Sequence, residues 1–460
     1  MGRQLRRWAL AAAALLGAAA PVRAEPTYVV ERCCDLCSRA ASRDAYTTRF
    51  LRSFATLVQG RDGWLFRSDD DLRTRFGPDA QGYAALKRLR GALKARGTEL
   101  VMVYQPPRGL MHADKLPAAA RRHYDAGAAR AAYAGTLERF RAIGITVPDL
   151  GQLLGEGGAE DFFYRGDHHW TPAGARRTAQ VTAEAIRRMP AFAGIPKKAF
   201  TTERVGIWSK RGTLHKAAAQ LCGHGYPDQY APRFVTSAEG GGDLFADAGA
   251  PQVTLVGTSN SDSAYNFAGF LAEALGVEIL NESVAGGGHE GALLRYLPGT
   301  AFQRSPPKIL VWELEPYHNL SKSMFYRQVI PLVQDGCAGR RPVLSRSATL
   351  KGESAEVLFN GGGAVQTLRS RDHVLDVRFG DAGVREFKAT VWYTNGSKET
   401  LSIEHSDYAE TGGRFVVELR DDPGWGERVF LSLDVLRTAD VKPGATVSAQ
   451  LCARGPGTGA

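Results

Sequence analysis

The stretch VTLVGTSNSDSAYNFAGFL, residues 253–271, predicts a buried strand, a polar turn and a helix in immediate succession. Residues 253–256 are apolar or β-branched, which is typical of a strand covered on both faces. From residue 267 to 275, apolar residues recur at three- and four-residue spacing, which indicates a helix. The turn Gly257-Thr258-Ser259 therefore lies at the carboxyl end of a strand, where open α/β sheets place their sites.

Strands and helices alternate from about residue 28 to 335. We expect strands at 99–104, 252–256, 277–280 and 308–312, a short strand or turn at 145–150, and helices at 81–96, 126–143, 173–189 and 267–275. Strands that are separated by helices imply a mostly parallel sheet with helices on both faces. The sequence therefore predicts an α/β domain over residues 28–335.

After about residue 336 the pattern changes to short segments of alternating polarity, separated by turn signals such as Asn395-Gly396 and Gly412-Gly413. We expect strands at 365–368, 373–379, 386–393, 400–404, 413–419, 428–433 and 445–452. Short strands without helices are typical of a β-sandwich. A second, all-β domain is thus predicted over residues 336–455.

The first 24 residues are expected to be a secretory signal peptide. Arg3, Arg6 and Arg7 precede an apolar run over residues 8–20, and Val22-Arg23-Ala24 provides small residues at the two positions that a signal peptidase reads. We expect cleavage after Ala24 and export to the periplasm. An uncleaved membrane anchor is the alternative, although the apolar run is short for a bilayer span.

The charge of the chain restricts its partners. The 460 residues carry a formal net charge of +10, and the leader supplies four arginines and no acidic residue, which leaves about +6 on the mature protein. This modest excess permits an acidic polymer as a partner. Since no Lys/Arg-rich run is present, we predict no nucleic-acid binding.

The six cysteines are Cys33, Cys34, Cys37, Cys222, Cys337 and Cys452. In an exported protein disulfides are the default, and several connectivities are open. The cluster at 33–37 could also be a metal or redox site, but no second CxxC and no nearby histidine completes a zinc site. We therefore expect no metal, and Cys33 and Cys34 either pair with each other or stay free.

Two short motifs supply candidate catalytic groups. Ser259 stands near a helix N-terminus, whose amides favour a developing negative charge; a polar turn that only caps the helix is the alternative, since the full G-x-S-x-G elbow is missing. In FFYRGDHHWTPAGA, residues 162–175, Asp167 and His169 project to one side of an extended segment, as in the orienting half of a triad. His168 turns to the other side, and metal binding by the two histidines is the alternative.

Two further motifs suit substrate binding. The loop Gly286-Gly287-Gly288 would let a backbone amide approach a substrate oxygen, or it is a simple flexible turn. Lys388, Thr390 and Trp392 share one face of a strand, and Lys398 follows the next turn. An aromatic ring beside cations suits a sugar that carries a carboxylate; a snorkelling lysine beside a core tryptophan is the alternative.

Four segments together resemble the alginate O-acetyltransferase family: VQGRDGWLF (58–66), VYQPPRGLM (103–111), DHHWTPAGA (167–175) and VTLVGTSNS (253–261). The resemblance covers nearly the whole mature chain. It implies an α/β domain similar to SGNH hydrolases, in circularly altered order, joined to a β-sandwich carbohydrate-binding module.

The resemblance also implies roles for individual residues. Ser259 takes the place of the nucleophile, His169 and Asp167 complete the triad, and Tyr265 matches an active-site tyrosine. The polymer-binding positions fall on Lys388, Thr390, Trp392 and, where an arginine is expected, Lys398. The implied disulfides are Cys37–Cys222 and Cys337–Cys452.

The motifs depart from ordinary SGNH hydrolases, which carry Gly-Asp-Ser at the nucleophile and Gly-x-Asn-Asp at the oxyanion site. This chain has Gly257-Thr258-Ser259 and Trp312-Glu313-Leu314-Glu315 instead. We expect the amides of Ser259 and Gly287 to bind the oxyanion.

The expected function is O-acetylation of mannuronate residues of alginate in the periplasm, through an acyl-enzyme and without cofactor or metal. The expected partners are alginate or polymannuronate, other periplasmic alginate biosynthesis and export proteins, and an acetyl donor relayed from a membrane acyltransferase system. The alternatives are a polysaccharide acetylesterase with the same triad and a non-catalytic polymer-binding scaffold of the secretion complex.

Overall fold

The computed structural model describes residues 35–155, 160–239 and 250–455. The expected signal peptide and the pair Cys33 and Cys34 lie outside these residues. Within them, no helix combines the length and the hydropathy that a membrane-spanning segment requires.

The first part of the chain combines strands with helices. Its strands are β1 (Leu57–Gln59), β2 (Leu65–Arg67), β3 (Glu99–Tyr104), β4 (Phe200–Lys210), β5 (Gln229–Ala238), β6 (Val253–Val256), β7 (Ile279–Asn281) and β8 (Ile309–Leu314). Its helices are α1 (Arg49–Arg52), α2 (Ala80–Ala95), α3 (Arg108–Met111), α4 (Ala118–Arg121), α5 (Ala126–Ala142), α6 (Pro172–Arg187), α7 (Pro190–Ala193), α8 (Thr213–Cys222), α9 (Phe267–Leu275), α10 (Gly288–Tyr296), α11 (Thr300–Arg304) and α12 (Ser323–Leu332).

A four-stranded parallel sheet forms the centre of this domain, in the order β3-β8-β6-β7. All six residues of β8 are buried, so helices cover both faces of the sheet. The predicted strands and helices are found within a few residues of their expected bounds. The long helices begin at residues whose side chains cap them. At the start of α6, for example, the Thr171 hydroxyl accepts a hydrogen bond from the Gly174 amide, and Pro172 occupies the first turn.

The second domain is a β-sandwich, as predicted. Its strands are β9 (Leu344–Leu350), β10 (Ser354–Phe359), β11 (His373–Phe379), β12 (Glu386–Tyr393), β13 (Lys398–Glu404), β14 (Arg414–Glu418), β15 (Phe430–Leu436) and β16 (Ala445–Ala453). They form two antiparallel sheets, β10-β15-β12-β13 and β14-β11-β16-β9. Burial alternates along β12 and β13, because one face of their sheet packs on the core and the other faces outward.

The predicted secondary structure was wrong or incomplete in several places. Residues 365–368 form a loop rather than a strand, with Val365 exposed and the loop held by hydrogen bonds to Asn360. The strands β9 and β10 were missed because their polar outward residues dilute the alternation. The antiparallel hairpin β4–β5 was missed as well; several apolar side chains on it are exposed, so its pattern does not separate two faces.

The two domains meet through charged side chains rather than through a linker alone. From α12, the Arg327 guanidinium donates to the Glu399 carboxylate at 2.6 Å and to the Glu418 carbonyl at 2.8 Å. Arg88 of α2 pairs with the buried Glu418 carboxylate at 2.8 Å. Ion pairs of this kind favour one placement of the two domains, because separating the domains would leave buried charges unpaired.

Two disulfides join distant parts of the chain. Cys37–Cys222 links the N-terminal segment to the last residue of α8, and Cys337–Cys452 links the end of the α/β part to β16. They close sequence separations of 185 and 115 residues, so each strongly restricts the unfolded chain.

We expect the double variant Cys37→Ala/Cys222→Ala to unfold about 3–8 °C below the wild type, since losing such a link costs about 2–4 kcal/mol. Hydrogen exchange should locate the loss in α8. The matched control Cys337→Ala/Cys452→Ala should instead accelerate exchange in β16. Unchanged exchange in α8 of the first variant would show that the bond does not hold this helix.

Candidate active site

Ser259 lies three residues after the end of β6, beyond Gly257 and Thr258, and opens a 3-10 helix over Ser259–Ser261, so it lies at the carboxyl edge of the sheet. Its side chain is partly exposed. Its backbone amide forms no hydrogen bond with the residues that the structure describes, which leaves it available to a developing oxyanion.

His169 and Asp167 meet Ser259 in the order of a catalytic triad. The His169 Nε2 lies 2.8 Å from the Ser259 Oγ, and the His169 Nδ1 lies 2.5 Å from the Asp167 Oδ1. The His169 amide donates to the same carboxylate oxygen at 2.8 Å. Two hydrogen bonds therefore fix the imidazole, with one nitrogen on the acid and the other on the serine.

The N-terminus of α8 holds the other oxygen of Asp167. The Thr213 amide donates to the Asp167 Oδ2 at 2.7 Å, and the amides of Leu214 and His215 donate to the Gly166 carbonyl. Burial alone would raise the pKa of Asp167, but the charges of His169 and Lys210 and the hydrogen bond from His169 hold it well below its usual value. The carboxylate is thus kept ionised in a fully buried position.

Tyr265 and Lys210 form a second wall around His169. The Tyr265 ring stacks on the His169 ring, with 5.2 Å between centroids and 19° between planes. The Lys210 ammonium donates to the Tyr265 hydroxyl and lies 3.8 Å from the Asp167 Oδ2. Burial raises the pKa of Tyr265 well above its usual value and lowers that of Lys210. The tyrosine is therefore neutral, with its hydroxyl fixed by a lysine.

His168 packs beside the catalytic pair instead of pointing away from it. Its ring centroid lies 3.8 Å from that of His169, and its Nδ1 lies 2.7 Å from the Thr213 hydroxyl. Burial lowers the pKa of His168 well below its usual value. Ligand atoms of residues 167–169 lie within 4.8 Å of one another, so these residues could approach one cation. Because His169 contacts both Asp167 and Ser259, the arrangement favours acid–base chemistry over metal binding.

A buried carboxyl group supports the serine turn from below. The Glu313 Oε2 accepts from the backbone amide of Thr258 and from the Ser261 hydroxyl, each at 2.9 Å. The Glu313 Oε1 accepts from the side-chain Nε2 of Gln105 at 2.6 Å. A β-carbon on residue 257 would lie 2.6 Å from the Glu313 Oε2, so glycine is required at the start of the turn. Burial and the neighbouring Glu315 raise the pKa of Glu313 to about 8.

Glu315 continues this network. Its Oε1 accepts from the side-chain Nδ2 of Asn260 at 2.6 Å, and its Oε2 lies 2.7 Å from the His318 Nε2. Burial would raise the pKa of Glu315, but the charge of His318 holds it well below its usual value. Through these hydrogen bonds the side chains of both glutamates hold the turn that presents Ser259.

The glycine loop after β7 lies at the same sheet edge. The Val284 amide donates to the Gly257 carbonyl at 3.0 Å, which joins this loop to the serine turn. The Gly287 amide donates to the Val284 carbonyl at 3.1 Å, so it already has a partner. Of the two expected oxyanion donors, the Ser259 amide is the one that is free in this structure.

The predicted sugar-binding residues lie together on the outward face of the sandwich. Trp392 pairs with Lys398 across β12 and β13, with the ammonium 5.4 Å from the ring centroid. Thr390 and Lys388 follow on the same face, and the Trp392 Nε1 donates to Asp434 at 2.8 Å. Trp392 is half-buried rather than part of the core, which leaves its ring partly accessible.

Lys210, Thr213 and the two glutamates were not identified as site residues from the sequence. Lys210 lies at the end of the missed strand β4, and Thr213 begins the unpredicted helix α8. The Trp312-Glu313-Leu314-Glu315 motif was noticed only as a departure from a family pattern. A chemical cue was available: Glu313 lies within an otherwise apolar strand and Glu315 follows directly after it, and buried carboxyl groups need hydrogen-bond partners.

Comparison with known families agrees with this architecture. A family described as "SGNH hydrolase-like domain, acetyltransferase AlgX" matches residues 57–316. A family described as a C-terminal carbohydrate-binding module matches residues 336–460.

Curated relatives and a solved structure extend the match. The alginate biosynthesis protein AlgX of Pseudomonas aeruginosa is 46% identical over 99% of this chain and 97% of its own length. The probable alginate O-acetylase AlgJ of the same organism is 30% identical over 58% of this chain and 71% of its own. The structure of P. aeruginosa AlgX superposes with a TM-score of 0.85, covering 91% of this chain and all of that one. The chain therefore belongs to the AlgX family, with an SGNH hydrolase-like domain followed by a carbohydrate-binding module.

Proposed function

We propose that this protein transfers acetyl groups to hydroxyl groups of mannuronate residues in alginate, through an acetyl ester on Ser259. The observation that carries the proposal is the continuous contact from Asp167 through His169 to Ser259, at 2.5 and 2.8 Å. The relatives named for alginate biosynthesis and alginate O-acetylation supply the substrate class. The family's carbohydrate-binding module supplies a means of holding the polymer.

The first half of the reaction forms the ester. As the Ser259 oxygen attacks the carbonyl carbon of the acetyl donor, its proton passes to the His169 Nε2. The free Ser259 amide donates to the carbonyl oxygen as it becomes negative. When the tetrahedral intermediate collapses, the donor's leaving group takes the proton from His169 and departs.

The second half reverses these roles. A sugar hydroxyl gives its proton to His169 and attacks the ester carbon, and the Ser259 oxygen leaves with that proton. Asp167 stays ionised and stabilises the imidazolium in both halves. Tyr265, stacked on His169 and hydrogen-bonded to Lys210, helps to fix the orientation of the imidazole ring.

Hydrolysis and transfer compete at the ester, because water and sugar hydroxyls attack the same carbon. A polysaccharide acetylesterase with the same triad is therefore the second candidate, and a polymer-binding scaffold without catalysis is the third. The proportion of acetylated oligomer to free acetate distinguishes transfer from hydrolysis, and the absence of any acyl-enzyme would indicate the scaffold.

The proposed compartment is the periplasm. Disulfides such as Cys37–Cys222 and Cys337–Cys452 persist in oxidising compartments and are rare in the cytosol. The acetyl donor would then be delivered by a membrane acyltransferase system, and the polymer by the alginate biosynthesis and export proteins.

We expect Ser259→Ala to lower acetyl transfer from an activated ester to mannuronan oligomers by at least about 10³-fold, because no other group replaces the nucleophile. Mass spectrometry of the oligomers measures the product. Circular dichroism of the variant should match the wild type, since the serine side chain is partly exposed. Undiminished transfer would refute the assignment of Ser259.

The support beneath the serine turn predicts a dependence of stability on pH. With its pKa raised to about 8, folded Glu313 keeps a proton that the unfolded chain loses near pH 4.5, so its contribution to stability is lost as pH rises through 8. Glu313→Gln cannot titrate. We therefore expect the Tm of Glu313→Gln minus that of the wild type to be higher at pH 8 than at pH 5.

The matched control is Glu315→Gln, for which the expected change of stability with pH has the opposite sign. The pKa of Glu315 is held low, so the stabilisation it gives is lost as pH falls, and the deficit of this variant should shrink in acid. Parallel Tm profiles of wild type and Glu313→Gln between pH 5 and 8 would contradict a protonated Glu313.

The outward face of the sandwich predicts polymer affinity. Trp392→Ala and Lys398→Ala should each weaken the binding of mannuronan oligomers about 5- to 30-fold, because they remove a stacking surface and a cation beside it. Isothermal titration measures the Kd. Arg346→Ala, which removes an exposed cation from the other sheet, should leave it within twofold. Equal losses in all three variants would indicate general charge attraction only.

A further inference from the structure

A cavity of about 380 Å³ lies where the two domains meet. The glycine loop 286–288 and the start of α10 line one side, Tyr317 and His318 line a second side, and residues 404–406 of the sandwich close it. We call it the junction cavity. None of the residues that take part in the proposed acetyl transfer lines it.

The junction cavity has the features of a site for an anion. The first amides of α10, those of Gly288, His289 and Glu290, form no hydrogen bond with any residue in the described part of the chain, and no side chain caps the helix. The positive end of a nine-residue helix therefore opens on the cavity. Among the described residues, the exposed Arg49 that lines the cavity has no carboxylate partner.

A second, independent observation comes from His289. This side chain is 95% buried, lines the cavity, and has an Nε2 without a hydrogen-bond partner. Its nearest carboxylate oxygen, on Glu290, is 3.6 Å away and is shared with Lys322 at 3.1 Å. A buried polar atom that lacks a partner is costly, and a bound polar group would supply one.

The ring of Tyr408 lies against Gly286, one of the residues that line the junction cavity. Tyr408 is 65% exposed, more than any other large apolar or aromatic side chain in the described residues. It covers the Gly286 backbone so closely that a β-carbon there would lie 2.5 Å from the ring. The Ser406 hydroxyl donates to the Gly286 carbonyl at 3.1 Å and fixes this loop. An exposed, anchored ring beside an anion site suits a sugar that carries a carboxylate.

The junction cavity continues the outward face of the sandwich. Lys398, Thr400, Ser402 and Glu404 alternate along β13 on the exposed face, and Glu404 lines the cavity. Six residues of strand span roughly 20 Å, so this row leads from the Trp392–Lys398 pair to the cavity.

The other walls of the junction cavity are bonded to the serine turn. Val284, just before the glycine loop, donates to the Gly257 carbonyl, and His318 contacts Glu315, which accepts from Asn260. A sugar unit in the cavity would thus bridge the polymer-binding face and the candidate catalytic edge.

We propose that the junction cavity binds one uronate unit of the polymer, with its carboxylate at the start of α10 near Arg49 and its ring against Tyr408. The inference rests on the proposed function, and it adds the subsite that holds the chain for acetylation. Glu290 is compensated by Lys322, and Glu404 at the entrance accepts hydrogen bonds from sugar hydroxyls.

The test compares two acceptors in the full-length protein: mannuronan oligomers, and the same oligomers with carboxyl groups reduced to alcohols. Arg49→Gln should raise the KM of the charged oligomers about tenfold and leave that of the reduced ones unchanged. Tyr408→Ala should raise the KM of both about tenfold, with kcat at saturation lowered less than about threefold. This separation of KM from kcat is not expected from a general loss of structure.

The matched controls make the same two substitutions at an arginine and a tyrosine that do not line the junction cavity. Arg52→Gln alters the other end of α1, and Tyr230→Ala removes an exposed tyrosine from the hairpin; both should keep wild-type KM values. The proposal is overturned if Arg49→Gln and Tyr408→Ala keep wild-type KM values, or if Arg49→Gln affects both acceptors equally. If the wild type transfers no acetyl group, the proposed function fails, and the subsite is then tested by binding alone. Arg49→Gln should raise the Kd of the charged oligomers only, and Tyr408→Ala should raise the Kd of both; unchanged Kd values in both variants, or an equal effect of Arg49→Gln on both oligomers, would overturn the subsite.

Discussion

The ionised carboxylate of Asp167, fully buried, is the constraint on which the rest of the site depends. A lone charge in that position would be too costly, so the fold surrounds it with donors from three separate parts of the chain. The start of α8 supplies the Thr213 amide, the end of β4 brings Lys210 to 3.8 Å, and its own segment supplies His169. The disulfide at the far end of α8 thereby supports the candidate triad, although it lies outside it.

Asp167 and Glu313 are two of the buried acids of the site, and their surroundings shift their pKa values in opposite directions. Against its burial, the charges of His169 and Lys210 and the hydrogen bond from His169 hold the pKa of Asp167 low, whereas burial and Glu315 raise that of Glu313. Opposite shifts of this kind separate the roles of chemically similar groups. Asp167 orients and charges the imidazole, and Glu313 shapes the turn that presents Ser259. The Gly-Thr-Ser turn can therefore hold Ser259 in place without the G-x-S-x-G sequence, because Glu313 of β8 accepts hydrogen bonds from Thr258 and Ser261.

The parallel sheet and the sandwich could be predicted from the sequence, because periodicity is a local property. The grouping of residues 167, 169 and 259 was expected from the family resemblance, since the Gly-Thr-Ser turn alone did not exclude a simple helix cap. The parts that the sequence did not reveal depend on distant contacts. Lys210 belongs to a hairpin whose exposed apolar residues hide its strand pattern, and it reaches Asp167 only through the fold. A period of two predicts His168 on the opposite face, but its ring packs against that of His169 at a tilt of 38° and its Nδ1 contacts the Thr213 hydroxyl. The segment 365–368 was predicted as a strand although Val365 is exposed in a loop.

The central claim is that an acetyl group resides on Ser259 between donor and polymer. The most direct measurement mixes the protein with an isotopically labelled acetyl ester, quenches the reaction rapidly and maps the label by peptide mass spectrometry, with and without mannuronan oligomers. The account predicts label on the peptide that contains Ser259, discharged faster when oligomers are present, with the same label appearing on the oligomers. Label that reaches the oligomers without ever occupying Ser259, or label on Ser259 that oligomers do not discharge, would contradict it.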